Sequence, residues 1–279
     1  MKKTALLLTL LLLSYSVYSQ DKEKVKGSKI VTVTQKEIKE FENLEVEDNI
    51  EIFLIKGDKC AIEIEADDNL HDLIQTSFNG NSLQISSSKE VTSAKKFSVR
   101  VTYTTGFKML IAKDNTNITA LAEINLNDFT FKSFDDSKIF AYVKTKNFTL
   151  MANDKSKIEL NLNSEQTTIE LSKNAKLKAL IASNQMIFDM YQKTTATVEG
   201  DVNNLKLRLD NNAEFTGKNL SSKNAEITTE GYTNCSIIVS TKAIIDASGK
   251  SEINLYGTQK IEMKNFIDNA TLNKKTLIK

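Results

Sequence analysis

Short stretches in which apolar and polar residues alternate recur along the chain, and after residue 19 no apolar pattern of helical period persists for long. Side chains of a strand point alternately to opposite faces, so residues 50–55, 61–66, 82–86 and 97–103 read as strands with one buried face. Ile, Val, Thr, Phe and Leu dominate these stretches, and the chain contains no proline and no tryptophan. The pattern predicts an all-β protein.

The alternation is itself periodic. Small residues standing two positions before an apolar one form the series Ser137, Ser156, Ala175, Thr194, Ala213, Cys235, Ser251 and Ala270, at steps of 19, 19, 19, 19, 22, 16 and 19 residues. The residues two positions later are Ile139, Ile158, Leu177, Ala196, Phe215, Ile237, Ile253 and Leu272, all apolar. Thr116 with Ile118 fits the pattern one coil earlier, at a step of 21. A second alternating pair follows in the first four units: Leu150 and Ala152, Ile169 and Leu171, Phe188 and Met190, Leu207 and Leu209. Each unit therefore reads as two short strands, such as 157–162 and 168–171, joined by turns. Asn and Asp crowd the bend before the small residue, as in Asp135-Asp136, Asn153-Asp154 and Asn211-Asn212, because they tolerate left-handed backbone.

A unit of this length cannot bury its apolar face alone, whereas stacked units bury a continuous column. The expectation is a single-stranded right-handed parallel β-helix, a β-solenoid with coils of about 19 residues, the hand following from the strong preference of parallel crossovers. Residues 28–112 are less regular and read as the first, wider coils of a single solenoid domain over 28–279. Two ends need caps. Lys274, at a position where earlier coils place Ala141, Leu160, Val198 or Leu255, is expected with Lys275 and Lys279 to close the C-terminal end, and the irregular segment before Glu51 to cover the other.

The first residues change the picture of where the chain works. Lys2 and Lys3 precede an apolar run over 5–13 and the small and polar run 14–19, the order of a secretory signal with cleavage expected after Ser19. Residues 20–27 are charged and expected to form a flexible lead-in. Without residues 1–19 the chain carries 35 basic against 36 acidic residues, about −1, which offers no global field toward nucleic acid or an anionic membrane. An exported protein results, periplasmic or at the cell surface.

Candidate chemistry is sparse. Cys60 and Cys235 lie on coils too far apart to pair and are expected as buried thiols. His71, the single histidine, reads as a turn residue, and Asp67, Asp68 and Asp72 lack the spacing of a calcium loop. Glu170, Asp189 and Arg208 fall in one column on neighbouring coils, which suits a cross-coil ion pair or, alternatively, the clustered groups of a polysaccharide-cleaving β-helix. No catalytic residue, metal site or cofactor is predicted.

The N-terminal half carries a resemblance. Residues 41–58 (FENLEVEDNIEIFLIKGD), 62–70 (IEIEADDNL) and 79–86 (NGNSLQIS) resemble the auto-transporter adhesin head GIN domain family of exported Gram-negative proteins, over roughly residues 41–240. The resemblance implies a right-handed parallel β-helix at the cell envelope, with adhesion as its role and no catalytic residues to carry over. The leading expectation is a non-enzymatic envelope protein whose solenoid faces contact a surface glycan, matrix component or envelope protein. A carbohydrate-active enzyme using the Glu170/Asp189/Arg208 column and a structural scaffold of the envelope are the alternatives.

Overall fold

The computed structural model describes residues 22–276; the signal-like segment, the cleavage point and residues 277–279 lie outside them. With 67% strand and 2% helix, the protein is a β-solenoid of about nine turns of some 19 residues.

The N-terminal third departs from simple coiling. Strand β1 (Lys24–Lys26) pairs in parallel with β8 (Glu90–Ser93), so the expected flexible lead-in instead carries a paired strand. Strand β2 (Val31–Glu37) lies antiparallel to β5 (Ala61–Asp67), which lies antiparallel to β9 (Phe97–Tyr103). Strands β6 (Ile74–Asn79) and β7 (Ser82–Ser87) form a hairpin, turning at Gly80 with its positive φ of 60°. Between them, β3 (Asn43–Val46) and β4 (Glu51–Lys56) stack in parallel on β7 and β9 on one side. On the other side they stack on β10 (Met109–Ala112) and β11 (Asn117–Ala120).

The coil at 43–56 is thus slotted between the coil at 82–103 and the one at 109–120, and order in space is not order in sequence. The reading of 28–112 as successive wide coils, covered by the segment before Glu51, is corrected. Antiparallel strands can follow one another through short turns, which lets β5, β6 and β7 double back and finish the end of the stack. Phe41 and Tyr103 both pack on Phe107, and the stack continues through Phe129 and Phe131 to Phe148, with contacting ring centroids 4.9–5.7 Å apart.

From β12 (Ile124–Asn125) and β13 (Asp128–Ser133) onward the coils are regular. Strands β14 (Lys138–Ala152), β15 (Lys157–Leu171), β16 (Lys176–Met190) and β17 (Thr195–Leu209) pair in parallel at a constant offset of 19. The two short strands expected per unit are fused into one of 15 residues. It bends where the alternation slips, at exposed Glu165 and Gln166 between buried Ser164 and Thr167. Strands β18 (Glu214–Thr229) and β19 (Asn234–Ala247) continue the stack through bulges, and β20 (Glu252–Tyr256), β21 (Lys260–Phe266) and β22 (Thr271–Lys274) end it.

One residue per coil adopts left-handed backbone: Asp114, Asp135, Asp154, Lys173, Gln192, Asn211, Gly231, Gly249 and Asp268, with φ between 54° and 77°. This corner marks the true period. After Asn211 its steps are 20, 18 and 19, so the small residue following Ala213 is Thr233, and the inferred steps of 22 and 16 are corrected to 20 and 18. Cys235 moves into the apolar column, opposite Phe215 and Ile253, while Ile237 sits opposite Gly217 and Leu255. Columns two residues apart both point inward, so a small apolar cysteine imitated the corner residue. In this register Ile139, Ile158, Leu177, Ala196, Phe215, Cys235 and Ile253 are all buried, and Leu272 on the last coil is partly so.

Lys274 stands opposite Leu255, as read, and donates to the Gly257 carbonyl and, at 2.8 Å, to Gln259 Oε1. Among the described residues it does not close the end, and Lys279 lies outside them. Ile261 and Met263, opposite buried Ala243 and Ile245, are 36% and 45% exposed, and Phe266, opposite buried Ala247, is 39% exposed. These three inward columns run out to the last described coil, and a charge in the Leu255 column does nothing to cover them.

Candidate functional surface

Alternation that buries every second side chain leaves the others in rows on the outside, one residue per coil and about 4.8 Å apart. On the face built by the first halves of β14, β15, β16 and β17 the first row is Lys138, Lys157, Lys176 and Thr195. The next is Phe140, Glu159, Lys178 and Thr197, and the third is Tyr142, Asn161, Leu180 and Glu199. Phe140, Tyr142 and Leu180 are 42%, 45% and 49% exposed. The Phe140 and Tyr142 rings meet edge to face, centroids 5.6 Å apart at 83°. With Glu159, Asn161 and Glu199 these three line a shallow, open trough across four coils.

Some lysines elsewhere in the fold are paired with acids: Lys113 reaches Glu45 and Glu47 at 2.5 and 2.6 Å, and Lys264 reaches Glu226 at 2.6 Å. Hydrogen bonds from Lys113 hold the Glu45 carboxyl below the usual carboxylate range against the opposing effect of burial. Around the trough the ion pairs are Lys173 with Asp154 at 2.6 Å and Arg208 with Asp210 at 3.9 Å. Among the described residues none joins Lys138, Lys157, Lys176 or Lys178 to an acid. Farther along, the lysine row becomes Glu214, Asn234 and Glu252, so its positive charge is confined to three coils.

The residues singled out in the sequence fall elsewhere. Glu170, Asp189 and Arg208 are in register as expected, but Arg208 pairs with Asp210, just past the end of its own strand, and lies over the Tyr191 ring, 5.8 Å from its centroid. The cross-coil ion pair is therefore replaced by one with a residue of the same coil. His71 lies in the short 3-10 turn 68–73, its ring nitrogens 2.8 and 3.1 Å from the Thr32 and Thr34 hydroxyls on β2.

Asp67 is buried and works on the backbone. Its carboxylate accepts N–H bonds from Lys29 (2.9 Å), Lys95 (3.1 Å) and Lys96 (3.0 Å), tying the loops before β2 and β9 together. Burial alone would raise its pKa, and the three backbone donors outweigh burial and lower it. Gly27 packs against this carboxylate, where a Cβ would come within 2.0 Å of an Asp67 oxygen. Asp68 accepts from the Ser28 hydroxyl. Among the described residues no three His, Cys, Asp or Glu side chains converge to hold a metal. Cys60 and Cys235 are free and buried, and burial pushes the Cys235 thiol up to about 12.

Sequence reasoning missed the trough. Its signal was present in Lys138, Lys157 and Lys176, spaced 19 apart, and in Phe140 and Tyr142, aromatic at positions the alternation assigns to solvent.

A family described as "Putative auto-transporter adhesin, head GIN domain" matches residues 40–258. The chain belongs to that family. The matched span of this head GIN protein reaches from the strand-slotted N-terminal coils through β20 and includes the whole trough. A solved putative adhesin from Parabacteroides merdae is similar in fold, with TM-score 0.68 at 16% identity over 92% of this chain and 100% of that one. A putative adhesin from Parabacteroides distasonis has TM-score 0.68 at 14% identity, covering 90% and 100%. A protein of that species described as a putative lipid binding protein has TM-score 0.58 at 12% identity, covering 92% and 100%. No curated protein matches the chain in sequence. No helix among the described residues is long and apolar enough to cross a membrane.

Proposed function

We propose that this head GIN protein is a non-enzymatic protein of the cell envelope that acts by presenting the outer face of its solenoid to a surface partner. The observation that carries the reading is the exposed trough of Phe140, Tyr142 and Leu180 on an otherwise regular stack. Contiguous exposed apolar side chains rimmed by polar ones mark contact surfaces, and a rigid rung lattice holds them in place so that less ordering is needed on binding. The adhesin family and the adhesin-like folds of the Parabacteroides proteins support the same role. The signal-like N-terminus supports export, to the periplasm or onward to the cell surface.

The test is protease shaving of intact cells that produce the protein, combined with adhesion of those cells to glycan- and protein-coated surfaces. The expected result is release of the protein by protease and adhesion lost in a deletion strain. Full protection from protease together with unchanged adhesion would overturn the reading.

A further inference from the structure

We propose that the face formed by β14, β15 and β16 binds an extended anionic polysaccharide lying along the solenoid axis. Lys138, Lys157 and Lys176 would engage its carboxylate or sulfate groups, and Phe140, Tyr142 and Leu180 the apolar faces of its sugar rings. The inference rests on the reading of this face as a contact surface and names the ligand class.

Like charges directly opposite on neighbouring strands destabilise a sheet. Three lysines stacked at about 4.8 Å per coil, none with an acid partner, therefore form a row that a polyanion would relieve. The row runs along the axis, so the matching ligand is a polymer in the same direction. Its charges must recur at short, regular intervals, as they do along a polysaccharide of acidic sugars.

The neighbouring rows restrict the ligand further. Glu159, Asn161 and Glu199 stand within the trough as hydrogen-bond acceptors, and Asn161 is also a donor. Such groups suit a ligand dense in hydroxyls. A phosphodiester chain, poor in hydroxyls, would offer few donors to Glu159 and Glu199. The edge-to-face Phe140 and Tyr142 rings also offer no run of parallel platforms for successive bases. The observations therefore favour polysaccharide over single-stranded nucleic acid.

The experiment measures binding of the purified protein to alginate, dextran sulfate, neutral dextran and an oligothymidylate at several salt concentrations. Binding to alginate or dextran sulfate, weakening steeply with salt as expected for released counterions, and no binding to dextran is the expected result. The triple variant Lys138→Gln/Lys157→Gln/Lys176→Gln should lose about tenfold or more in affinity and flatten the salt slope. Phe140→Ser/Tyr142→Ser should lose about fivefold with the slope unchanged. A control of equal charge change, Lys36→Gln/Lys218→Gln/Lys260→Gln, should bind as the parent. All these residues are exposed, and circular dichroism melts of the variants should match the parent.

Equal weakening by the control triple would overturn the proposal, as would tighter binding to oligothymidylate than to either polyanionic glycan. No binding to alginate or dextran sulfate while adhesion of cells persists overturns the ligand class and leaves the adhesive role standing. Specific glycan binding by a protein that cells keep fully protected from protease does the reverse.

Discussion

Asp154 and Lys173 occupy the same left-handed corner on successive coils, and the Lys173 ammonium lies 2.6 Å from the Asp154 carboxylate. The corner is a backbone requirement first and a side-chain contact second. Left-handed backbone costs most residues about 1–2 kcal/mol, and glycine avoids that cost while losing some of the gain to unfolded-state entropy. Gln192, at φ 64° and exposed, makes no side-chain hydrogen bond among the described residues that would offset it. Gln192→Gly should therefore stabilise the protein by about 0.5–1 kcal/mol in urea denaturation. Gly249→Ala should do the opposite by at least about 1 kcal/mol, because its Cβ would also come within 2.7 Å of the Gly231 nitrogen. A neutral effect of both would show that the corner does not set the coil.

Leu177 lies opposite Ile158 and Ala196 in the buried column of the middle coils. Leu177→Ala should cost about 2–5 kcal/mol, read from the shift in denaturant midpoint. Leu177→Asp, which places an unpaired charge there, should abolish the cooperative transition, with far-ultraviolet circular dichroism reporting the loss of strand.

Ile245 and Met263 point inward in the same column on adjacent coils, yet Ile245 is buried and Met263 is 45% exposed. Met263→Lys should change stability by no more than about 0.5 kcal/mol, as surface substitutions do. Ile245→Lys should be severe, at about 3 kcal/mol or more for a buried unpaired charge. Comparable losses at both positions, measured by thermal melts, would mean that something covers the last coil.

Asp67 links acidity to the N-terminal end of the stack. Its folded pKa is lowered, so the carboxylate contributes stability that is present above its unfolded value of about 3.9 and is lost as the pH falls through the folded value. Protection factors for hydrogen exchange at the Lys29, Lys95 and Lys96 amides, relative to intrinsic rates at each pH, should be high near neutrality and fall selectively in acid. Asp67→Asn should speed exchange at those amides already at pH 7 and remove the acid step. Slow exchange at all three amides in the variant would refute the role.

What the sequence determined by itself is whatever repeats locally. Alternation sorts inside from outside in every strand, since successive side chains must point to opposite faces. A period near 19 then makes stacking the way to bury one face, so the solenoid, the column from Ile139 to Ile253 and the adhesin family were legible in residue order. Tertiary structure decided what depends on which strands meet. Columns two residues apart look alike in sequence, and the left-handed corners at Gly231 and Gly249 place Cys235, not Ile237, beneath Phe215. The slotting of β3 and β4 between later strands is a choice among pairings of similar local pattern, made by the antiparallel returns of β5 to β7. The trough belongs to the same class: Phe140, Leu180 and the three lysines are distant in the chain, and only the parallel register sets them side by side on one exposed face.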